Sequence, residues 1–229
     1  MSLAMTEGIG YDRGQERMGM KLEFIDVRRA YFHAETRREV FVELPQEDWE
    51  EGMCGKLRKS MYGTRDAAQN WEREYESLMK GCGFSQGRSS PCVFYHEERS
   101  VRVVVHGDDF TVLGRTQGLD WFRKEISQKY EVKLRGRLGP NKNDDKSVRI
   151  WNRIVEWGED EIRYEADQRH AEIIIKHLGM KENTKGVTTP GTKEKEEDGD
   201  QDQLTQTDST KYRALTARAN YLAQDRTDI

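Results

Sequence analysis

Apolar residues along this chain come in short runs separated by dense charge, and their spacing predicts most of the elements. LEFIDV (22–27) has strand length, and VFVELP (40–45) is a second such run that Pro45 closes. Residues 28–38 between them predict a short helix or turn. Beyond GKLRKSMYG, Thr64 or Asp66 is placed to cap a helix running to about Lys80. In it Trp71, Tyr75, Leu78 and Met79 recur at helical spacing and define one buried face, and Gly81 and Gly83 stop it.

Two strands follow, SPCVFYH and VRVVVH, joined by the charged turn at 97–100. The second passes through HGDD directly into FTVLG. Strands joined by so few residues must be antiparallel neighbours, and Gly107 supplies the permissive backbone of a tight turn. Thr116 opens a helix with Leu119, Phe122, Ile126 and Tyr130 on one face. VRIWNRIVEW and EIRYEA predict a hairpin about Gly158 to Asp160, and Asp167 caps a helix that Gly179 ends. The tail STKYRALTARANYLAQ reads as helical through Tyr212, Leu215, Ala219 and Leu222. Strands interleaved with helices and joined mostly by hairpins predict an α+β fold, an antiparallel sheet backed by helices.

Composition changes this picture at the edges. Of 229 residues 34% are hydrophobic and 35% charged, so one core must serve a heavily solvated surface, with stretches that do not fold. Residues 1–19 lack both helical and strand periodicity and carry no apolar signal-peptide region, and KEKEEDGDQDQ (193–203) reads as a flexible acidic linker. No run of about 18 apolar residues exists to span a membrane. Three cysteines with no C-x-x-C pair point to a reducing compartment and to ordinary packing rather than a zinc site. A net charge of −4 is the wrong sign for a surface given over to nucleic acid. Such contact would have to be local, and KLRKSMYGTR is the one compact basic segment, with Lys56, Arg58, Lys59 and Arg65 and no acid among them.

The chemistry lies in HGDD. Adjacent ionised carboxylates repel, and burying them unpaired costs several kcal/mol. A divalent cation is their natural partner, since Mg²⁺ binds through one or two carboxylates plus phosphate oxygens. Taken alone, HGDD reads better as a polar turn than as a metal site. A third acid, Asp26, ends LEFI as Asp108 ends VVV, and neighbouring strand ends would gather Asp26, Asp108 and Asp109. Asp26 and Asp108 are then expected as the main ligands and Asp109 as the weaker one.

IDVRRAYFHAETRREVFVELPQ, KLRKSMYGTRDAAQNW, SPCVFY, VVVHGDDFTVLG, KYEVKLRGRLGP and KYRALTARANYLAQDRTDI together resemble, in order and spacing, the reverse transcriptase of copia-type LTR retrotransposons. The resemblance covers residues 20–229. It implies a right-hand polymerase palm that carries out RNA- and DNA-templated DNA synthesis with two Mg²⁺ ions, or Mn²⁺ in their place. Asp26 matches the family's first catalytic aspartate, and Asp108 with Asp109 its aspartate pair. Tyr31 matches the aromatic gate that selects deoxynucleotides, and Arg65 keeps positive charge where the family has a lysine. The implied partners are a primed RNA or DNA template, dNTPs and the other parts of a Pol polyprotein, integrase and RNase H, with a cytoplasmic setting and no membrane.

The chain also departs from that pattern. His106 and Gly107 stand where an aromatic and a bulky aliphatic residue are usual, Asp66 replaces a glutamine and Ala68 a proline. Helix capping is the expected role of Asp66. The expected organisation is a disordered leader (1–19), a palm (20–140), a thumb-proximal hairpin and helix (141–190), an acidic linker (191–209) and a C-terminal helix (210–229), with the fingers largely missing. A truncated polymerase is one expectation, and a catalytically dead palm that binds nucleic acid through Lys56 to Arg65 is the other.

Overall fold

A computed structural model describes residues 19–158, 161–181, 183–186 and 204–226. The expected leader to residue 18 and the linker run 193–203 lie outside the described residues. The chain divides into two compact units, one of residues 1–148 and 157–161, the other of residues 149–156 and 162–229.

The first unit is built on a six-stranded antiparallel sheet in the order β4-β5-β6-β7-β1-β8. Its strands are β1 (Lys21–Val27), β4 (Ser85–Gln86), β5 (Val93–His96), β6 (Val101–His106), β7 (Asp109–Gly114) and β8 (Val132–Leu138). Helices α1 (Ala67–Gly81) and α2 (Thr116–Lys129) belong to the same unit, and a 3-10 turn at Ala30–His33 follows β1. A two-stranded ribbon pairs β2 (Phe41–Val42) with β3 (Gly55–Lys56). VFVELP therefore supplies only two paired residues, because Glu43 to Pro45 turn into a second 3-10 segment at Gln46–Asp48.

Alternation along the strands sets the two faces of the sheet. Ile25 and Val27 of β1, Val101, Val103 and Val105 of β6, and Phe110 and Val112 of β7 are buried in one cluster with Trp71, Tyr75 and Met79 of α1 and Leu119, Phe122 and Ile126 of α2. The expected helix faces are the ones that pack, with Leu78 only partly buried and Tyr130 buried just past the end of α2. Asp26, Thr111, Val104 and His106 alternate with these residues and so belong to the opposite face.

Strand β8 pairs with β1 along its length. Glu23, fully buried, anchors it: Arg123 of α2 donates to Glu23 at 3.0 and 2.5 Å, and Arg137 of β8 also donates to Glu23 and reaches Asp120 at 2.6 Å. Burial opposes the charge of Arg137, but its bonds to Glu23 and Asp120 hold its pKa above the ordinary arginine value. Lys21 and Asp144 form a second buried pair at 2.7 Å.

A three-stranded sheet in the order β11-β10-β9 replaces the expected single hairpin. VRIWNRIVEW breaks into β9 (Ser147–Ile150) and β10 (Arg153–Trp157), and β11 is Ile162–Glu165. The break falls at Trp151 and Asn152, whose φ values of 49° and 62° are those of a tight hairpin turn.

The second unit contains α3 (Gln168–His177) and α4 (Gln206–Leu222). Asp167 caps α3 by accepting from the Arg169 backbone N–H at 3.1 Å. Thr205 caps α4, which therefore starts ahead of the expected helix at 210. The rings of His170 and Tyr221 lie 4.7 Å apart, and Arg153 donates to Asp225 at 2.6 Å. Of the apolar positions expected to form the inner face of α4, Leu222 is buried whereas Tyr212 is 63% exposed.

Candidate active site

Strand β1 reaches the site with Asp26 between two core residues, so its carboxylate stands on the sheet face away from the helices. Antiparallel pairing sets Asp26 directly opposite Asp109 on β7. Facing residues in such a ladder carry their side chains on the same side, with Cβ atoms about 5 Å apart. His106 and Asp109 close the β6–β7 hairpin, which leaves Gly107 and Asp108 as its two-residue loop. Gly107 has a φ of +62°, and no heavy atom would meet a Cβ there within 4 Å, so glycine is required by the backbone and not by space. The Val27 backbone N–H donates to the Asp108 carbonyl at 2.9 Å and ties the loop to the end of β1. Asp109 is thus in register with Asp26, and Asp108 precedes it in the turn.

On the other side of β1, Lys133 of β8 lies opposite Asp26. Pairing then shifts by one residue: Ile25 faces Leu134 and Phe24 faces Gly136, so Arg135 is the extra residue of a β-bulge. Its guanidinium donates to the Asp26 carboxylate.

Two tyrosines border the loop. The Tyr31 and Tyr62 rings are 4.4 Å apart, and Phe32 meets Tyr62 edge-on at 5.6 Å. Burial pushes the Tyr62 hydroxyl pKa up, and the Asp108 carboxylate, the next largest cause, pushes it the same way. Tyr62 therefore belongs to this site, although the sequence reading passed over it; its only signal is its place before Gly63 in the basic segment. Trp71 is a second such residue. It reads as a core aromatic, yet its indole N–H donates to the Gly107 carbonyl at 2.7 Å.

The four cations of the basic segment are exposed, and Lys56, Arg58 and Lys59 make contacts within residues 33–41. Lys56 pairs with Glu39, Lys59 donates to the His33 carbonyl at 3.1 Å and approaches Glu35 at 3.8 Å, and the Arg58 carbonyl accepts from the Thr36 backbone N–H at 3.2 Å. Arg65 is exposed ahead of α1. Asp66 occupies the N-cap position of α1 but makes no capping bond. It accepts from Arg38 at 3.0 Å and from Asn70 at 3.1 Å, which corrects the expected capping role: a guanidinium and a side-chain amide outcompete the backbone N–H groups for this carboxylate. A polar groove of about 590 Å³ lined by His33, Arg37, Lys59, Asn70 and Arg73 lies beside α1 and does not include the aspartates.

Among the described residues no three His, Cys, Asp or Glu side chains are gathered so as to hold a metal ion. Asp26 and Asp109 nevertheless present two hard oxygen donors in register. That set fits Mg²⁺, which takes one or two carboxylates and completes its shell with water and phosphate oxygens.

A family model described as reverse transcriptase (RNA-dependent DNA polymerase) matches residues 15–142, more than half of the chain. The chain is 26% identical over 180 residues to the retrovirus-related Pol polyprotein from transposon TNT 1-94 of Nicotiana tabacum, covering 76% of this chain and 13% of that polyprotein. It is 28% identical over 92 residues to the transposon Ty1-MR1 Gag-Pol polyprotein of Saccharomyces cerevisiae, covering 40% of this chain and 5% of that polyprotein. The chain thus spans a small part of the length of the curated relatives it matches. It belongs to the reverse transcriptase family, in the form carried by copia-type retrotransposons.

Proposed function

We propose that the chain supplies the palm of an RNA-directed DNA polymerase, with Asp26, Asp108 and Asp109 as its catalytic and metal-binding carboxylates. The observation that carries this reading is the register of Asp26 against Asp109 beside the Gly107–Asp108 loop, on the sheet face that the helices leave open. Residues 20–140 serve as the palm, 141–190 as its thumb-proximal part and 210–229 as a C-terminal helix beyond the acidic linker 191–209. A template with a paired primer and an incoming dNTP are the substrates.

Bound Mg²⁺ would lower the pKa of the primer 3′-OH and neutralise charge developing on the α-phosphate. Asp26 and Asp109 hold their oxygens in place from rigid strands, and Asp108 adds a third carboxylate from the turn. The Val27–Asp108 and Trp71–Gly107 hydrogen bonds fix that turn, so the carboxylates need not reorganise when substrate arrives. Tyr31, its ring tilted against that of Tyr62, presents a ring where a ribose 2′-OH would clash. Arg65 contacts the triphosphate, and Lys56, Arg58 and Lys59 contact the nucleic-acid backbone.

Primer extension by the purified chain with Mg²⁺, dNTPs and a primed RNA or DNA template tests this. Asp108→Asn is expected to abolish extension; equal extension by this variant and the unmodified chain would remove the carboxylates from the mechanism. The second reading is a palm that binds nucleic acid without synthesis. The Arg135–Asp26 ion pair favours it, because it places a protein cation where the first ligand is needed. Salt-dependent binding of the template without any extension would select that reading.

A further inference from the structure

We infer that Arg135 is a positioning residue that holds the Asp26 carboxylate and that a divalent cation must displace it to bind. This inference rests on the reading of Asp26 as a metal ligand.

The ion pair is built into the strand. Lys133 faces Asp26 across the ladder, and Arg135, two residues on and the extra residue of the bulge, falls by alternation on the same face of β8. The bulge is fixed from its C-terminal side. A Cβ on Gly136 would lie 2.5 Å from Val148 Cγ2, so any side chain there would force Val148 to move. The Arg137 backbone N–H donates to Asp145 at 2.8 Å, and the Asp145 N–H returns a bond to the Arg137 carbonyl at 2.8 Å. Arg135 is thus presented to Asp26 by a locked backbone.

The pair is also accessible. The Arg135 side chain is 43% exposed and that of Asp26 is 15% exposed, so the guanidinium can swing into water while the carboxylate stays in register with Asp109. Because a guanidinium and a divalent cation compete for the same oxygens, the cation binds at the expense of the ion pair. Lys133, opposite Asp26, adds positive charge to the same face, and it serves as the control for a general field effect.

Mn²⁺ binding to the full chain, followed by the loss of the free-ion EPR signal, tests the inference without any polymerase activity. Arg135→Gln should bind Mn²⁺ tighter by on the order of fivefold, the equivalent of one half-exposed ion pair. Arg135→Lys, which restores the charge, should return the affinity towards that of the unmodified chain, and Lys133→Gln should change it less than Arg135→Gln. In the Asp26→Asn background the Arg135→Gln gain should vanish. Unchanged or weaker binding by Arg135→Gln, or an equal gain from Lys133→Gln, overturns the inference while leaving Asp26 a ligand. Mn²⁺ binding that Asp26→Asn does not weaken overturns the underlying reading, and this inference with it.

Discussion

The Trp71 indole on α1 donates to the Gly107 carbonyl at 2.7 Å, so a residue of the hydrophobic core holds the loop that carries Asp108. Trp71 itself is 1% exposed and packs edge-on against Tyr75, Phe110 and Tyr130. Trp71→Phe keeps a ring in place but removes the donor. Urea unfolding should show a loss of about 1–2 kcal/mol from the bond and the vacated volume, and primer extension should fall with it. Full stability and undiminished extension together would show that the loop does not need this tether.

Glu23 is the least exposed charge in the sheet, and its carboxylate holds both Arg123 and Arg137. Glu23→Ala leaves two guanidinium groups without that partner. Removing one side of a buried ion pair costs about 3–5 kcal/mol, and the partial exposure of Arg123, 35% at the side chain, points to the lower end. Thermal unfolding should therefore show a large loss. A melting temperature within a degree or two of the unmodified chain would contradict the network's structural role.

Alkaline pH should unfold the first unit. Burial, followed by the charge of Glu72, pushes the Tyr75 hydroxyl up to about 12, and burial with Glu74 raises Tyr130 as well. The unfolded chain releases these protons near pH 10 while the folded one keeps them. Stability is therefore whole below pH 10 and is lost as the pH rises towards 12. Tyr75→Phe should flatten that decline by roughly 2 kcal/mol, read from urea midpoints between pH 8 and 11.5. Parallel curves for both proteins would mean that Tyr75 ionises freely in the folded state.

Acid acts through Asp66 with the opposite sign. Its hydrogen bond from Arg38 is the largest cause of a pKa below the usual aspartate value, with Asn70 adding to it. The stabilisation is present above the unfolded pKa, near 4, and fades as the pH falls through the lower folded value. The melting temperatures of the unmodified chain and Asp66→Asn should differ at neutral pH and converge below pH 4. A gap that stays constant into acid would discount the Arg38 bond.

Tyr31 is the residue to change for sugar selection. Tyr31→Val removes the ring set against Tyr62 and opens the space proposed for a 2′-OH. Incorporation of ribonucleotides relative to deoxynucleotides should rise by at least about tenfold. The same ratio in both proteins would deny Tyr31 the gate role even if synthesis proceeds.

The helix faces of α1 and α2 and the strands β6 and β7 could be read directly from the sequence, because their apolar spacing is local and repeats within one element. Strand β8 alternates as well, but the partners of its cations could not be read, because Asp26 binds Arg135, and Glu23 and Asp120 bind Arg137, from far along the chain. Tyr62 and Trp71 were missed for a similar reason. Each looks ordinary beside its sequence neighbours and gains a role only from Asp108 and Gly107, which lie far along the chain.

By itself, the sequence determined which residues alternate towards a core, that HGDD closes a hairpin between β6 and β7, and, through its ordered motifs, the family. Tertiary structure alone decided that Asp109 is the acid in register with Asp26, that Asp66 serves Arg38 instead of capping α1, and that Arg135 pairs with Asp26. The division has a physical cause. Periodicity records where a side chain points along its own strand or helix, whereas register and ion pairing are set by the free energy of packing several distant elements at once.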